Sequence, residues 1–417
     1  MSDIIDHLAG ITGTDIAELR TARPDAKTNA QLAFDALLEP EEPHGFPLSE
    51  RYAIASYTAG LHRDAVAEDF YLELLDDETS TEFASKLAAY TRASLASGPY
   101  GTYRETGLQT ENIPGPTARA GGFGTRLDAA LDFVHLQVFH PRDSSPRAIA
   151  KLAAAGWTAD QVVSLAQLVT FLAFQLRAIE GLRVLADRPK VPLSVGIARA
   201  GHASAGEPLV PTHPTFETLT YPDLVRPERF VAHSLGWQPW VPAPDTADLT
   251  EAQRDALVDR TRTGSAYFRL LARDPVALRA RTRLDFDIFQ NPDGGLPRAE
   301  RELAATVTSR LNGCVYCASV HSVRAIDYGA PASAITELID VGVTTHFESP
   351  LWNAVAQVAV AVTATPSQLN QSHIEQLRSA GCDDLAVLDT IYSAAFFNWA
   401  NRLMLCLGEP ELPQRFR

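Results

Sequence analysis

Apolar positions recur at helical spacing through most of this chain, and the alternating apolar–polar runs that mark strands are nearly absent. The pattern predicts a helix over 30–38, with Thr28 as its cap and Pro40 as its stop. Further helices are expected from Ser49 through about Leu75, over 81–96, over 126–139, over 147–154 and over 159–186. A Gly-rich stretch, 98–124, carries Pro99, Pro114 and Pro116 and reads as an irregular excursion. Beyond Leu249 the helical pattern returns at 267–271, 276–289 and 299–311, and again up to about Tyr328, where Gly329 and Pro331 end it. Asn312-Gly313 separates the last two, because glycine takes the left-handed C-terminal conformation at little cost. Either residue can also cap the next helix. The window 162–176 is apolar nearly all round, which predicts burial on several sides. The expected fold class is all-α.

Between these two helical regions the composition changes. Residues 189–248 hold ten prolines and no clear period, and the few strand candidates lie there. The aromatics Phe216, Tyr221, Phe230, Trp237 and Trp240 imply an arm that packs on something, not a loose tether. A chain of 417 residues exceeds one ordinary core. The expected division is a helical domain at 1–188, the arm at 189–248 and a second helical domain at 249–417.

The two helical regions also echo each other. Leu152, Ala155-Gly156, Val162, Phe171, Arg177 and Leu182 line up with Leu377, Ala380-Gly381, Val387, Phe396, Arg402 and Leu407 at a constant offset of 225. Glu50-Arg51, Ala55, Thr58 and Leu61 line up with Glu300-Arg301, Ala305, Thr308 and Leu311 at an offset of 250. The difference fits extra material in the N-terminal copy, most simply the Gly-rich excursion. A tandem duplication packed as a pseudo-dimer is therefore expected.

Charge narrows the function. With 36 basic and 51 acidic residues the net charge is −15, which argues against nucleic-acid and anionic-membrane partners. The N-terminal stretch has no basic segment followed by an apolar core, and no run approaches 18 uninterrupted apolar residues, so a cytoplasmic protein is expected. Four cysteines in so long a chain are no disulfide scaffold. A C-x-x-C in a reducing compartment points instead to redox or metal chemistry.

That motif is Cys314-Val315-Tyr316-Cys317, with His321 four residues beyond and Glu302 twelve residues before Cys314. Positions 314, 317 and 321 share one helix face, and Glu302 on the preceding helix can fold back towards it. Cys314 falls in the first turn, where free N–H groups and the helix dipole favour a thiolate. A zinc site built on Cys314, Cys317 and His321, with Glu302 or His346 as fourth ligand, is the rival reading. It lacks a second C-x-x-C, and no metal is expected. Cys382 and Cys406 read as core residues. His62, His135 and His140 could form a second polar site but read better as surface or satisfied core histidines. Asn398, Asn401 and Arg402 on a mostly apolar helix read as structural.

The pattern Glu, eleven residues, Cys, two residues, Cys, three residues, His resembles the active site of the alkyl hydroperoxidase (AhpD-like) branch of the carboxymuconolactone decarboxylase family. The resemblance covers about residues 250–417. It departs at Tyr316, where the best-known members have a histidine. It implies AhpD-like helical domains, here in tandem, and a homo-oligomer. It further implies a peroxidase-like oxidoreductase in which Cys317 attacks a small hydroperoxide, His321 and Glu302 move its proton, and Cys314 closes the disulfide. Tyr316 would shape the pocket or bond to the peroxide. An external dithiol, which nothing in the sequence names, would reopen the disulfide. No flavin or nicotinamide fingerprint is present, so no cofactor is expected. Decarboxylase or lactone chemistry is the alternative within the family, whose members of that kind lack the dithiol. A thiol redox sensor is the non-enzymatic alternative. In the N-terminal copy Asp64, Ala67 and Tyr71 stand where Cys314, Cys317 and His321 stand, and Tyr52 stands for Glu302, so only a structural role is expected there.

Overall fold

The computed structural model describes residues 3–188 and 213–417; the first part of the Pro-rich arm, 189–212, lies outside the described residues. The fold is all-α, and the one sheet among the described residues has two short strands.

Apart from short helices at Ile4–Ala9, Asp15–Leu19, Glu251–Ala256 and Ala266–Leu271, the described helices form two parallel series. The first is α1 (Pro24–Leu38), α2 (Leu48–Leu61), α3 (Ala65–Glu78), α4 (Thr81–Ala93), α5 (Thr125–Phe139), α6 (Pro146–Ala154) and α7 (Ala159–Leu185). The second is α8 (Pro275–Gln290), α9 (Arg298–Asn312), α10 (Val315–Asp327), α11 (Ala332–Val341), α12 (Pro350–Thr363), α13 (Gln371–Ser379) and α14 (Asp384–Leu407). Packing follows the order. In the first half α2 lies against α3, α4, α5 and α7, and in the second α9 lies against α10, α11, α12 and α14. The main crossings between the halves are α1 on α8 and α7 on α14, and α7 also touches α12 and α13.

Several boundaries differ from the sequence reading. The first long helix starts at Pro24, not after Thr28, since proline at the first helical position is preset for it. The helix expected over 49–75 is two helices, because Arg63 takes a positive φ of 60° and Asp64 then caps α3 with its side chain. α4 stops at Ala93, short of 96.

The halves also repeat individual hydrogen bonds. Arg51 donates to the Phe46 and Leu37 carbonyls at 2.8 and 2.5 Å, and Arg301 donates to those of Leu296 and Ile288 at 2.5 and 3.0 Å. Each arginine ties the start of its own helix to the end of the preceding one. Across the halves, Arg177 of α7 donates to the Val362 carbonyl at 2.9 Å and the Thr363 carbonyl at 3.0 Å. Arg402 of α14 returns the arrangement, donating to the Gln137 carbonyl at 2.9 Å and the Val138 carbonyl at 3.4 Å. Carbonyls at a helix C-terminus lack intrahelical donors. Each half therefore caps a helix of the other.

The α7–α14 crossing forms the centre of the core. Phe171 and Phe174 lie 5.2 and 5.9 Å from Trp399, and Phe174 lies 6.3 Å from Tyr392. A side chain at Gly181 would meet the Ile391 methyl at 2.4 Å, so glycine permits the close approach. By length and composition α7 could cross a membrane, yet its apolar residues are spent inside the protein. The described arm packs as its aromatics imply. Strand β1 (Gly236–Pro239) pairs antiparallel with β2 (Gly408–Glu411) just beyond α14, and Trp237 and Trp240 are buried there.

Candidate active site

α9 and α10 meet at a sharp break. Gly313 ends α9 at φ 80°, and Cys314 is the N-cap of α10, one position before the first turn in which it was expected. Its sulfur accepts the Cys317 N–H at 3.4 Å. Asp64 performs the same task in the first half, accepting from Ala67 N–H at 3.0 Å. A buried amide network holds the break from behind. Asn312 donates to the side-chain carbonyls of Asn398 and Asn401, both at 3.1 Å, and Asn401 donates to the Ser309 hydroxyl at 2.9 Å. Arg402 completes it with a 2.6 Å bond to the Asn398 side-chain oxygen.

The two thiols face each other. Their sulfurs lie 2.7 Å apart, and both cysteines are free and buried. Burial pushes the Cys314 thiol well up, and a charge on Cys317 pushes it further; the single N–H bond at its sulfur does not reverse this. Burial thus works against the easier thiolate that the helix end alone would favour on Cys314.

One turn beyond Cys317, His321 bonds through Nδ1 to a carboxylate oxygen of fully buried Glu302. The other Glu302 oxygen accepts from Arg298 Nε at 2.7 Å. Burial alone would push this carboxyl up, but the His321 imidazole and then Arg298 outweigh it and hold it below its ordinary value. Phe397 meets the His321 ring edge-on at 4.2 Å, and Phe289 lies 6.0 Å away. The Arg298–Glu302–His321 chain leaves His321 Nε2 as the ring nitrogen open for proton transfer. Arg298 was missed in the sequence, although it stands one turn before Glu302, at the spacing where helix ion pairs form.

Residues 275–360 match the carboxymuconolactone decarboxylase family, and this span holds the whole of the Glu302–His321 motif. This stretch of the chain is a carboxymuconolactone decarboxylase family domain. Two solved structures are similar over part of the chain. One is an alkylhydroperoxidase AhpD core, a peroxidase-related protein from Ralstonia eutropha JMP134, at 27% identity over 39% of this chain and 85% of its own, with a TM-score of 0.35. The other is a peroxidase-related protein from Silicibacter sp. TM1040, at 22% identity over 42% of this chain and 88% of its own, with a TM-score of 0.34. Comparison with curated proteins finds no match.

The surroundings of the decarboxylase-family dithiol come largely from outside that domain. A cavity of about 40 Å³ opens on Cys314 and Tyr316, and neither Cys317 nor His321 lines it. The first half contributes Tyr103, Arg104, Glu105 and Arg142 to its wall, and the arm contributes Arg226, Trp237 and Trp240. Tyr316 is kept neutral, its hydroxyl pushed up first by burial and then by the cysteine charges. Trp237 donates to the Met404 carbonyl at 3.1 Å and Trp240 to the Glu409 carboxylate at 3.0 Å, which pins the arm over the cavity.

The remaining sequence candidates lie apart from this site. His140 bonds to Asp143 at 3.0 Å and to the Pro116 carbonyl at 2.8 Å, and His135 bonds to the Ser94 carbonyl at 3.2 Å, so both are satisfied within the first half. His62 is buried in the first half as well. Cys406 is a core residue, but Cys382 is only half-buried, because it lies in the short α13–α14 turn. Among the described residues no group of three or more His, Cys, Asp or Glu side chains is arranged to hold a metal ion.

Proposed function

We propose that the chain is a thiol-dependent peroxidase-like oxidoreductase that reduces a small hydroperoxide with Cys317 and Cys314. The observation that carries this reading is the close pair of free sulfurs beside the buried His321–Glu302 couple. The two sulfurs lie 2.7 Å apart, and burial pushes the Cys314 thiol up. Cys317 stands one turn before His321 on the same helix face, with Glu302 behind that imidazole, and this neighbourhood assigns it the role of nucleophile. A thiolate is the nucleophile in such chemistry.

The steps balance. The Cys317 thiolate attacks the distal peroxide oxygen, the O–O bond breaks, and Cys317 becomes a sulfenic acid while the alkoxide or hydroxide leaves with a proton supplied through His321. Cys314 then attacks the sulfenic sulfur, water departs, and the Cys314–Cys317 disulfide forms. Their 2.7 Å separation means that closure needs little movement. An external thiol reductant must restore the pair. The decarboxylase-family domain supports the class of site, and the dithiol geometry supports the redox reading within it.

The test is steady-state consumption of hydrogen peroxide with a small dithiol as reductant. Cys317→Ser is expected to abolish turnover, and Cys314→Ser to react once and then stop. Normal turnover by Cys317→Ser would refute the assignment.

A further inference from the structure

The charge around the Cys314 cavity is not balanced. Three guanidinium groups, Arg104, Arg142 and Arg226, line it against two carboxylates, Glu105 and Glu409. Arg104 and Arg226 both pair with Glu409. Arg142 has no carboxylate partner among the described residues, although it is only 8% exposed. Its Nε makes no hydrogen bond, and its two terminal nitrogens reach the Glu111 and Pro99 carbonyls only at 3.5 Å. The guanidinium stacks on Tyr103 at 4.7 Å. The stem presses on the residue before the dithiol, since a side chain on Gly313 would meet Arg142 Cδ at 2.2 Å. A buried, unpaired cation is costly unless an anion joins it. Arg142 and Cys314 line the same cavity, and only Tyr103 and two distant carbonyls hold the guanidinium.

Resting on the thiol-peroxidase reading above, we propose that this cavity is the docking site of the reductant, and that the reductant is a small anionic thiol whose acidic group Arg142 holds. The first half of the chain thus supplies the specificity of the second half's disulfide. Cavity size agrees with the class. One water needs roughly 10–15 Å³ of such space, so about 40 Å³ admits the tip of a small thiol. The thiolate attacks Cys314 Sγ, the Cys314–Cys317 bond breaks, and the electron pair leaves on Cys317, which takes a proton through His321. A second thiolate attacks the reductant's sulfur in the mixed disulfide and releases Cys314, which is then protonated. Two thiols become one external disulfide, and the protein dithiol is restored.

The experiment starts from protein whose disulfide has been made with diamide, so its outcome does not depend on peroxide being the oxidant. Re-reduction is followed with 3-mercaptopropionate, 2-mercaptoethanol and cysteamine, each rate divided by thiolate concentration. The expected result is that the anionic thiol outpaces the cationic one by about tenfold, as a charge-assisted contact warrants. That preference should vanish in Arg142→Met and persist in Arg142→Lys. A merely structural role would slow all three thiols alike and leave the ratio unchanged, which overturns the proposal. So would equal rates, or cysteamine fastest, in the wild type. Should Arg142→Met not fold, Arg142→Gln takes its place under the same criterion. If diamide-made disulfide behaves as expected while peroxide fails to form it, the peroxidase reading falls and the reductant site stands.

Discussion

At the residue scale the site depends on which buried groups keep their charge. Glu302 is fully buried and ionised because Arg298 and His321 both bond to it, and a lone carboxylate there would be costly. Glu302→Gln keeps the shape and removes the charge that orients His321. The expected loss in the rate of Cys317 oxidation is about a hundredfold, the low end of what a positioned proton-transfer group contributes. Stopped-flow oxidation by hydrogen peroxide measures it. The same carboxylate makes a pH prediction. Its folded value lies below the ordinary 4.5, so its contribution to stability is complete above that pH and is lost as pH falls through the lower folded value. Acid denaturation should therefore show a shallower acid limb in Glu302→Gln. Glu302, Cys314, Cys317 and His321 were legible in the sequence because two adjacent helices carry them at helical spacing. The cavity beside Cys314 was not, because residues that line it, such as Tyr103 and Trp240, are distant in sequence.

At the element scale the decisive feature is the α9–α10 break. Asn312-Gly313 announced it, and Gly313 does adopt the left-handed conformation at φ 80°. Alanine there would be strained, and its Cβ would displace Arg142. Gly313→Ala is expected to destabilise the protein by about 1–3 kcal/mol, read from urea denaturation, and to slow re-reduction of the disulfide. A stability change under a few tenths of a kcal/mol would contradict this account of the break. Other local signals misled. Arg63 has a side chain yet takes a positive φ, so nothing in the apolar pattern separated α2 from α3. Strand β2, Gly-Glu-Pro-Glu, lacks alternation and exists only because the arm lies beside it.

At the scale of the whole molecule, we infer that the halves are copies of one ancestral helical unit, packed about a pseudo-twofold relation. The support is the reciprocal exchange in which Arg177 caps α12 and Arg402 caps α5, with donors and acceptors all related by an offset of 225. The repeat was visible in the sequence, but the direction of the exchange was not, since apolar periodicity is silent about which carbonyl a buried arginine meets. Arg402→Met would leave the Gln137 carbonyl without that donor and disturb the Asn312–Asn398 network beside the dithiol. A loss of about 2–4 kcal/mol is expected, with the two halves still unfolding in one transition. Two separate transitions in the wild-type protein would contradict the interlocked arrangement. In the first half, Tyr71 donates to Gln175 at 2.6 Å and Asp64 pairs with Arg183 at 2.7 Å, so the positions that correspond to the dithiol site are filled by a structural network.

In the proposed reaction Cys317 attacks the peroxide oxygen and Cys314 resolves the sulfenic acid that forms. The most direct test is a single turnover: fully reduced protein receives one equivalent of hydrogen peroxide, and intact-mass and peptide mass spectrometry locate the product. The wild type is expected to lose two hydrogens and form a Cys314–Cys317 disulfide, and Cys314→Ser to carry a trappable sulfenic acid on Cys317. Oxidation that spares both cysteines, or a sulfenic acid found on Cys314 in Cys317→Ser at the wild-type rate, would contradict it.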